Sequence, residues 1–265
     1  MGADLFRGTF GRRILIAAVV GVALVAVGLK GAQYLKEPDL EEKASRMRVC
    51  GYYFRELISY GFNGRDGKKV IDRDTAYNTG DKPLGSWRLA YLYLINFWDY
   101  NDVSYEESLT LNDLFNPSKS WNEEPNYSFH PDFLCWNNNP FSKRYNETCV
   151  MAITGKDTAF EALQKATWRD YEEVYERCSS TILFVEAVRS GVHWGRPGDF
   201  NVETVTKEQL FPGKTSRIVV LFGDERVWLV ERTVPMETLK HFMTIESSRE
   251  HDRLQELSAY GRAIE

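Results

Sequence analysis

Residues Ile14 to Leu29 read ILIAAVVGVALVAVGL, sixteen positions without a charged or strongly polar side chain, and no other stretch limits the fold as much. At about 1.5 Å per residue the run falls a little short of a hydrocarbon core roughly 30 Å thick; Thr9, Phe10 and Ala32 to Leu35 lengthen it into one spanning helix. Arg7, Arg12 and Arg13 precede it, and Lys30 and Lys36 follow. By the positive-inside rule the N-terminus is cytoplasmic and the remainder exported. A cleaved secretory signal has the same order of basic, apolar and small residues, here Ala26, Gly28 and Gly31, but its apolar core is usually only about 7–15 residues. The length favours a retained anchor, and both readings export the bulk of the chain.

Beyond Pro38, the residues Leu40, Ala44, Met47, Cys50, Phe54 and Leu57 recur at helical spacing, opposite Glu41, Glu42, Lys43, Arg46, Arg48 and Arg55. This predicts an amphipathic helix that lays an apolar stripe on a folded head, with Pro38 in its first turn or at a kink. A hydrophobic content of 43% with 14% aromatics suits a packed body, and a net charge of −5 argues against a nucleic-acid surface. The division that follows is 1–36 for the cytoplasmic N-terminus and anchor, 37–246 for the exported head and 247–265 for a charged tail.

Turn residues from Asn63 to Gly85 predict an exposed loop, and SWRLAYLYLINFW (Ser86 to Trp98) a buried helix. Val150 to Thr154 reads as a strand ended by Gly155, and Ala159 to Tyr175 as partly helical. Thr181 to Val188 (TILFVEAV), apolar on both faces except at Glu186, predicts a central strand. Ile218 to Phe222 and Val227 to Val230 flank Gly223 to Arg226 as a β-hairpin. A short helix lined by Met236, Leu239, Phe242 and Met243 follows, capped by Thr233 and opened by Pro235.

Four cysteines in an exported segment predict two disulfides. Of the three pairings, Cys135–Cys149 with Cys50–Cys178 is preferred, because the first closes a short polar loop and leaves two cysteines of apolar segments to meet. No CxxC spacing marks a metal site.

No nucleotide-binding loop, nucleophile elbow or HExxH motif occurs, and His130, His193, His241 and His251 share no ligand spacing. The one sequence-local cluster worth testing as a ligand pocket is Glu186, His193, Trp194 and Asp199, although a structural turn in which His193 and Asp199 satisfy backbone groups is the preferred reading. Glu186, alone in a central strand, requires a partner such as Arg88 or Arg189. Asp224 and Glu225 offer a turn where calcium is conceivable. Asn126 and Asn146 begin glycosylation sequons.

In order and spacing these segments resemble the pilin-like proteins of planctomycete bacteria called the domain-of-unknown-function 1559 family. The likeness is carried by Arg46 to Cys50 with the following YYFRELISYG, by Ser86-Trp87-Arg88, and by Phe133 with Cys135. It continues through Thr158-Ala159-Phe160, Ser179 to Leu183 with Glu186, Trp194 with Pro197 and Asp199, and Phe222 to Glu225. The chain departs from pilins in having Arg12 and Arg13 after Gly11 and no Glu before Glu37, so processing by prepilin peptidase is not expected. The resemblance implies an α+β fold: a long N-terminal helix, half anchor and half amphipathic spine, packed on a mostly antiparallel sheet with long loops. It implies a non-enzymatic, single-pass protein of the inner membrane that acts in assembly or envelope organisation through other protein subunits. A tethered binding protein for a solute or polysaccharide is the alternative.

Overall fold

A computed structural model describes residues 39–56, 86–88, 119–128, 131, 134–136, 145–166 and 170–264. The anchor Ile14 to Leu29, the loop Asn63 to Gly85, most of the helix expected over Ser86 to Trp98, and His130 lie outside these residues. Among the described residues no helix is long and apolar enough to cross a membrane.

The fold is α+β, built on a mixed six-stranded sheet. Its strands are β1 (Val150–Thr154), β2 (Ile182–Glu186), β3 (Phe200–Asn201), β4 (Arg217–Phe222), β5 (Val227–Glu231) and β6 (Gly261–Ile264), in the order β3-β1-β2-β4-β5-β6. Only the β1–β3 pair is parallel; the other four pairings are antiparallel. The helices are α1 (Leu40–Glu56), α2 (Ala159–Lys165), α3 (Tyr171–Arg177), α4 (Lys207–Leu210), α5 (Met236–Lys240), α6 (Ile245–Glu250) and α7 (Arg253–Leu257).

Both faces of the sheet are buried, which is why β2 and β4 read as nearly continuous apolar runs rather than alternating ones. Along β4 the side chains divide by parity: Val219 and Leu221 enter the core beneath α1, and Ile218, Val220 and Phe222 enter a second core on the other face. In β2 the parity slips. A register shift between Ile182 and Phe184 puts both Leu183 and Phe184 on the α1 side.

Helix α1 behaves as its periodicity predicts. Ala44, Met47, Cys50 and Phe54 are buried against β2, β4 and β5. Asp39 caps it: its carboxylate accepts the Glu42 N–H at 2.9 Å and its carbonyl accepts the Lys43 N–H. Gly51 lets the helix approach closely, since a Cβ there would lie 2.6 Å from Leu221. Phe54 stacks on Phe160 and meets Phe184 edge-on, while Trp87 stacks on Phe184.

The expected hairpin is β4–β5, with Glu225 held in the left-handed region (φ 63°) at its turn. Gly223 is required there because a Cβ would sit 2.2 Å from the Cys178 carbonyl oxygen. One local expectation changes: Pro235, not Thr233, occupies the N-cap of α5. The charged segment after Ser247 supplies α7 and the edge strand β6, and its Ile264 carbonyl accepts a hydrogen bond from the Arg48 guanidinium on α1.

Candidate functional site

The four residues of the predicted pocket go to three separate places. Asp199, just before β3, takes the fully buried Arg88 guanidinium at 2.6 Å, the Ala152 N–H at 2.8 Å and the Trp87 indole N–H. Arg88 also donates to the Val150 carbonyl through Nε and Nη2. A buried charge is tolerable only with this degree of pairing, and the arrangement locks residues 86–88 onto β1.

Glu186 turns toward α1. Its partner is neither Arg88 nor Arg189 but Lys43, whose ammonium lies 2.7 Å away. The second carboxylate oxygen accepts the Val219 N–H, the next β4 donor beyond the β2–β4 ladder. Lys43 retains contact with solvent and lies over the Trp136 ring.

His193 and Trp194 fasten loops. The His193 Nδ1 accepts the Gly195 N–H, so the proton resides on Nε2, which donates to the Tyr127 carbonyl at 3.1 Å. The ring stacks on Tyr127 at 5.2 Å and lies beside Trp121 and Trp194. Burial lowers its pKa from the ordinary value, against the opposing pull of the Tyr127 carbonyl, so it is held neutral. Trp194 is fully buried and its carbonyl accepts the Ser86 hydroxyl. No substrate-facing acid–base pair arises from these four residues.

The Asp224 and Glu225 carboxylates also diverge. Asp224 takes a two-pronged contact from Arg253, at 2.6 and 3.1 Å. Glu225 accepts from Arg55 and from the Tyr175 hydroxyl at 3.0 Å. Calcium would have to displace guanidinium groups from both, and the pair acts instead as two clamps tying the hairpin turn to α7 and to α1 and α3.

None of the four cysteines is joined in a disulfide, so neither expected bond is formed. Cys149 and Cys135 are nonetheless neighbours: the Cys149 N–H donates to the Leu134 carbonyl, and the Trp136 N–H donates to the Cys149 sulfur at 3.2 Å. Burial raises the Cys149 thiol to about 11 and the Cys178 thiol to about 12, which keeps both protonated.

A different cluster escaped the sequence reading. His241 at the end of α5, His251 at the end of α6 and Glu256 in α7 converge, with potential ligand atoms all within 4.8 Å of one another. Each Nδ1 faces its own oxygen of the Glu256 carboxylate, at 2.8 Å from His241 and 2.5 Å from His251. The imidazoles stack at 3.7 Å with 14° between their planes. The spacings of ten and five residues match no short ligand motif, so only the folding of three helix ends reveals the group.

No protein family, curated protein or solved structure matches this chain.

Proposed function

We propose that the chain is a non-enzymatic, single-pass envelope protein of pilin-like organisation, anchored through Ile14 to Leu29 and acting through protein contacts made by an exported head. The observation that carries this reading is α1. A helix beginning eleven residues after the apolar run lays Ala44, Met47, Cys50 and Phe54 on an antiparallel part of the sheet and leaves Tyr52 53% exposed on its outer side. An N-terminal anchor leading into a helical spine on a sheet is the organisation expected of a pilin-like subunit. The Asp39 cap marks the first turn of this spine helix. The buried charges Arg88 and Glu186 join segments of the head.

The test is intact mass and particle size of the protein taken from its native membranes in mild detergent. An unprocessed N-terminus in a multi-subunit particle is the expected result. A chain cleaved near Gly28 to Ala32 and running as a soluble monomer overturns the proposal in favour of a solute- or polysaccharide-binding protein.

A further inference from the structure

We propose that His241, His251 and Glu256 bind one divalent transition-metal ion of the zinc type. Two imidazole nitrogens and one carboxylate form a mixed donor set that suits a borderline cation; calcium and magnesium prefer oxygen ligands throughout. The three donors already converge on one another around the shared carboxylate. Zinc bonds of about 2.0–2.2 Å place adjacent ligand atoms near 3.3 Å apart, so modest side-chain rotation turns this hydrogen-bonded triad into a coordinating one.

The backbones are fixed independently of any ion. The His241 N–H donates to the Glu237 carbonyl at the end of α5, and α7 is held by Asp252, which accepts the Leu254 and Gln255 N–H groups. The cluster is thus a preformed meeting of three helices rather than a flexible tail.

The hydrogen bonds define what an entering ion would replace. An ionised carboxylate only accepts, so each Nδ1 carries a proton while it faces Glu256. A metal ion takes the place of the Nδ1 protons, which pass to Nε2 of the same rings or to water, and neutralises the carboxylate directly. The side chains are 28–36% exposed, open enough for entry and exchange. Arginines 226, 249 and 253 line the neighbouring cleft with His251, but Asp224 pairs with two of them and offsets their field. Three protein ligands leave at least one position for water or for a group from another molecule.

The test uses the chelator-stripped full-length chain in detergent, titrated with Zn²⁺ by calorimetry and with Co²⁺ by visible absorption. The expected result is about one equivalent bound at micromolar affinity or tighter. Binding should weaken in Glu256→Gln by more than the roughly 100-fold that marks the upper end of what loss of an outer-shell partner costs, and vanish in His241→Ala/His251→Ala. The exposed control Glu237→Gln should bind as the unaltered chain does. No binding at millimolar zinc, or equal affinity in the double variant, overturns the proposal. Should the double variant fail to fold, X-ray absorption of the zinc-loaded unaltered chain decides: two imidazoles in the shell support the site, and a sulfur shell or none overturns it.

Discussion

The two faces of the sheet are both dry, yet they are held by different means. Beneath α1 the core is pinned by charge: Arg88 with Asp199, and Glu186 with Lys43, stand among Phe54, Trp87, Phe160 and Phe184. On the other face Val205, Leu210, Phe211, Leu239, Phe242 and Leu257 pack on Ile218, Val220 and Trp228, and the cation at its edge, Arg253, lies over the Phe222 ring. The difference follows from chain order. The second face is covered mainly by segments close in sequence to β4 and β5, which short connections deliver. The first face is covered in part by α2 and α3, which lie between β1 and β2, but also by segments from distant parts of the chain, residues 40–56, 86–88 and 134–136, whose registry apolar contacts alone specify poorly. A buried ion pair has one partner and one geometry, so it selects the docking that non-directional burial leaves open.

If this contrast is right, the largest effect belongs to Asp199→Ala, which strands the Arg88 guanidinium. We expect a loss of about 3–5 kcal/mol in urea unfolding followed by tryptophan fluorescence, with Arg88→Met/Asp199→Ala recovering much of it. A double variant no better than the single would mean that shape, not charge, sets the first face. On the second face Leu239→Ala should cost about 3 kcal/mol by cavity formation, with no partner substitution that restores it. Glu186→Gln should cost only about 1–2 kcal/mol, because Lys43 reaches water and the amide oxygen still accepts the Val219 N–H. A larger loss would show Lys43 to be as trapped as Arg88.

The smaller effects are chemical. Because folding depresses the His193 pKa, its contribution is fully present above the ordinary value near 6.5 and declines as pH falls below it toward the folded-state pKa. Unfolding curves should show this slope in the parent chain and not in His193→Gln. Purified under reducing conditions, Cys149 and Cys178 should resist alkylation near about pH 8 until the chain unfolds, as read by mass spectrometry.

Where periodicity carries the information, the sequence was a good guide. The stripe of α1, the central placement of β2 and the β4–β5 hairpin all follow from apolar spacing and turn residues. Strand β6 did not show, because four residues reading Gly-Arg-Ala-Ile carry no pattern and become a strand only by pairing with β5. The pairing of Arg88 with Asp199 rather than Glu186 was equally hidden. Both carboxylates are plausible at 98 and 111 residues' distance, and only the placement of residues 86–88 beside β1 and β3 chooses between them. The His241, His251 and Glu256 group was missed for the same reason, since its ligands come from three helix ends.

The hydrogen bond from Arg48 on α1 to the carbonyl of Ile264 spans 216 residues. At a synthesis rate of roughly 5–20 residues per second, on the order of ten to forty seconds separate the emergence of the two partners. For that interval the apolar stripe of α1 has no finished sheet to lie on, and a chain in that condition needs a holding partner more than it needs a fast folding step.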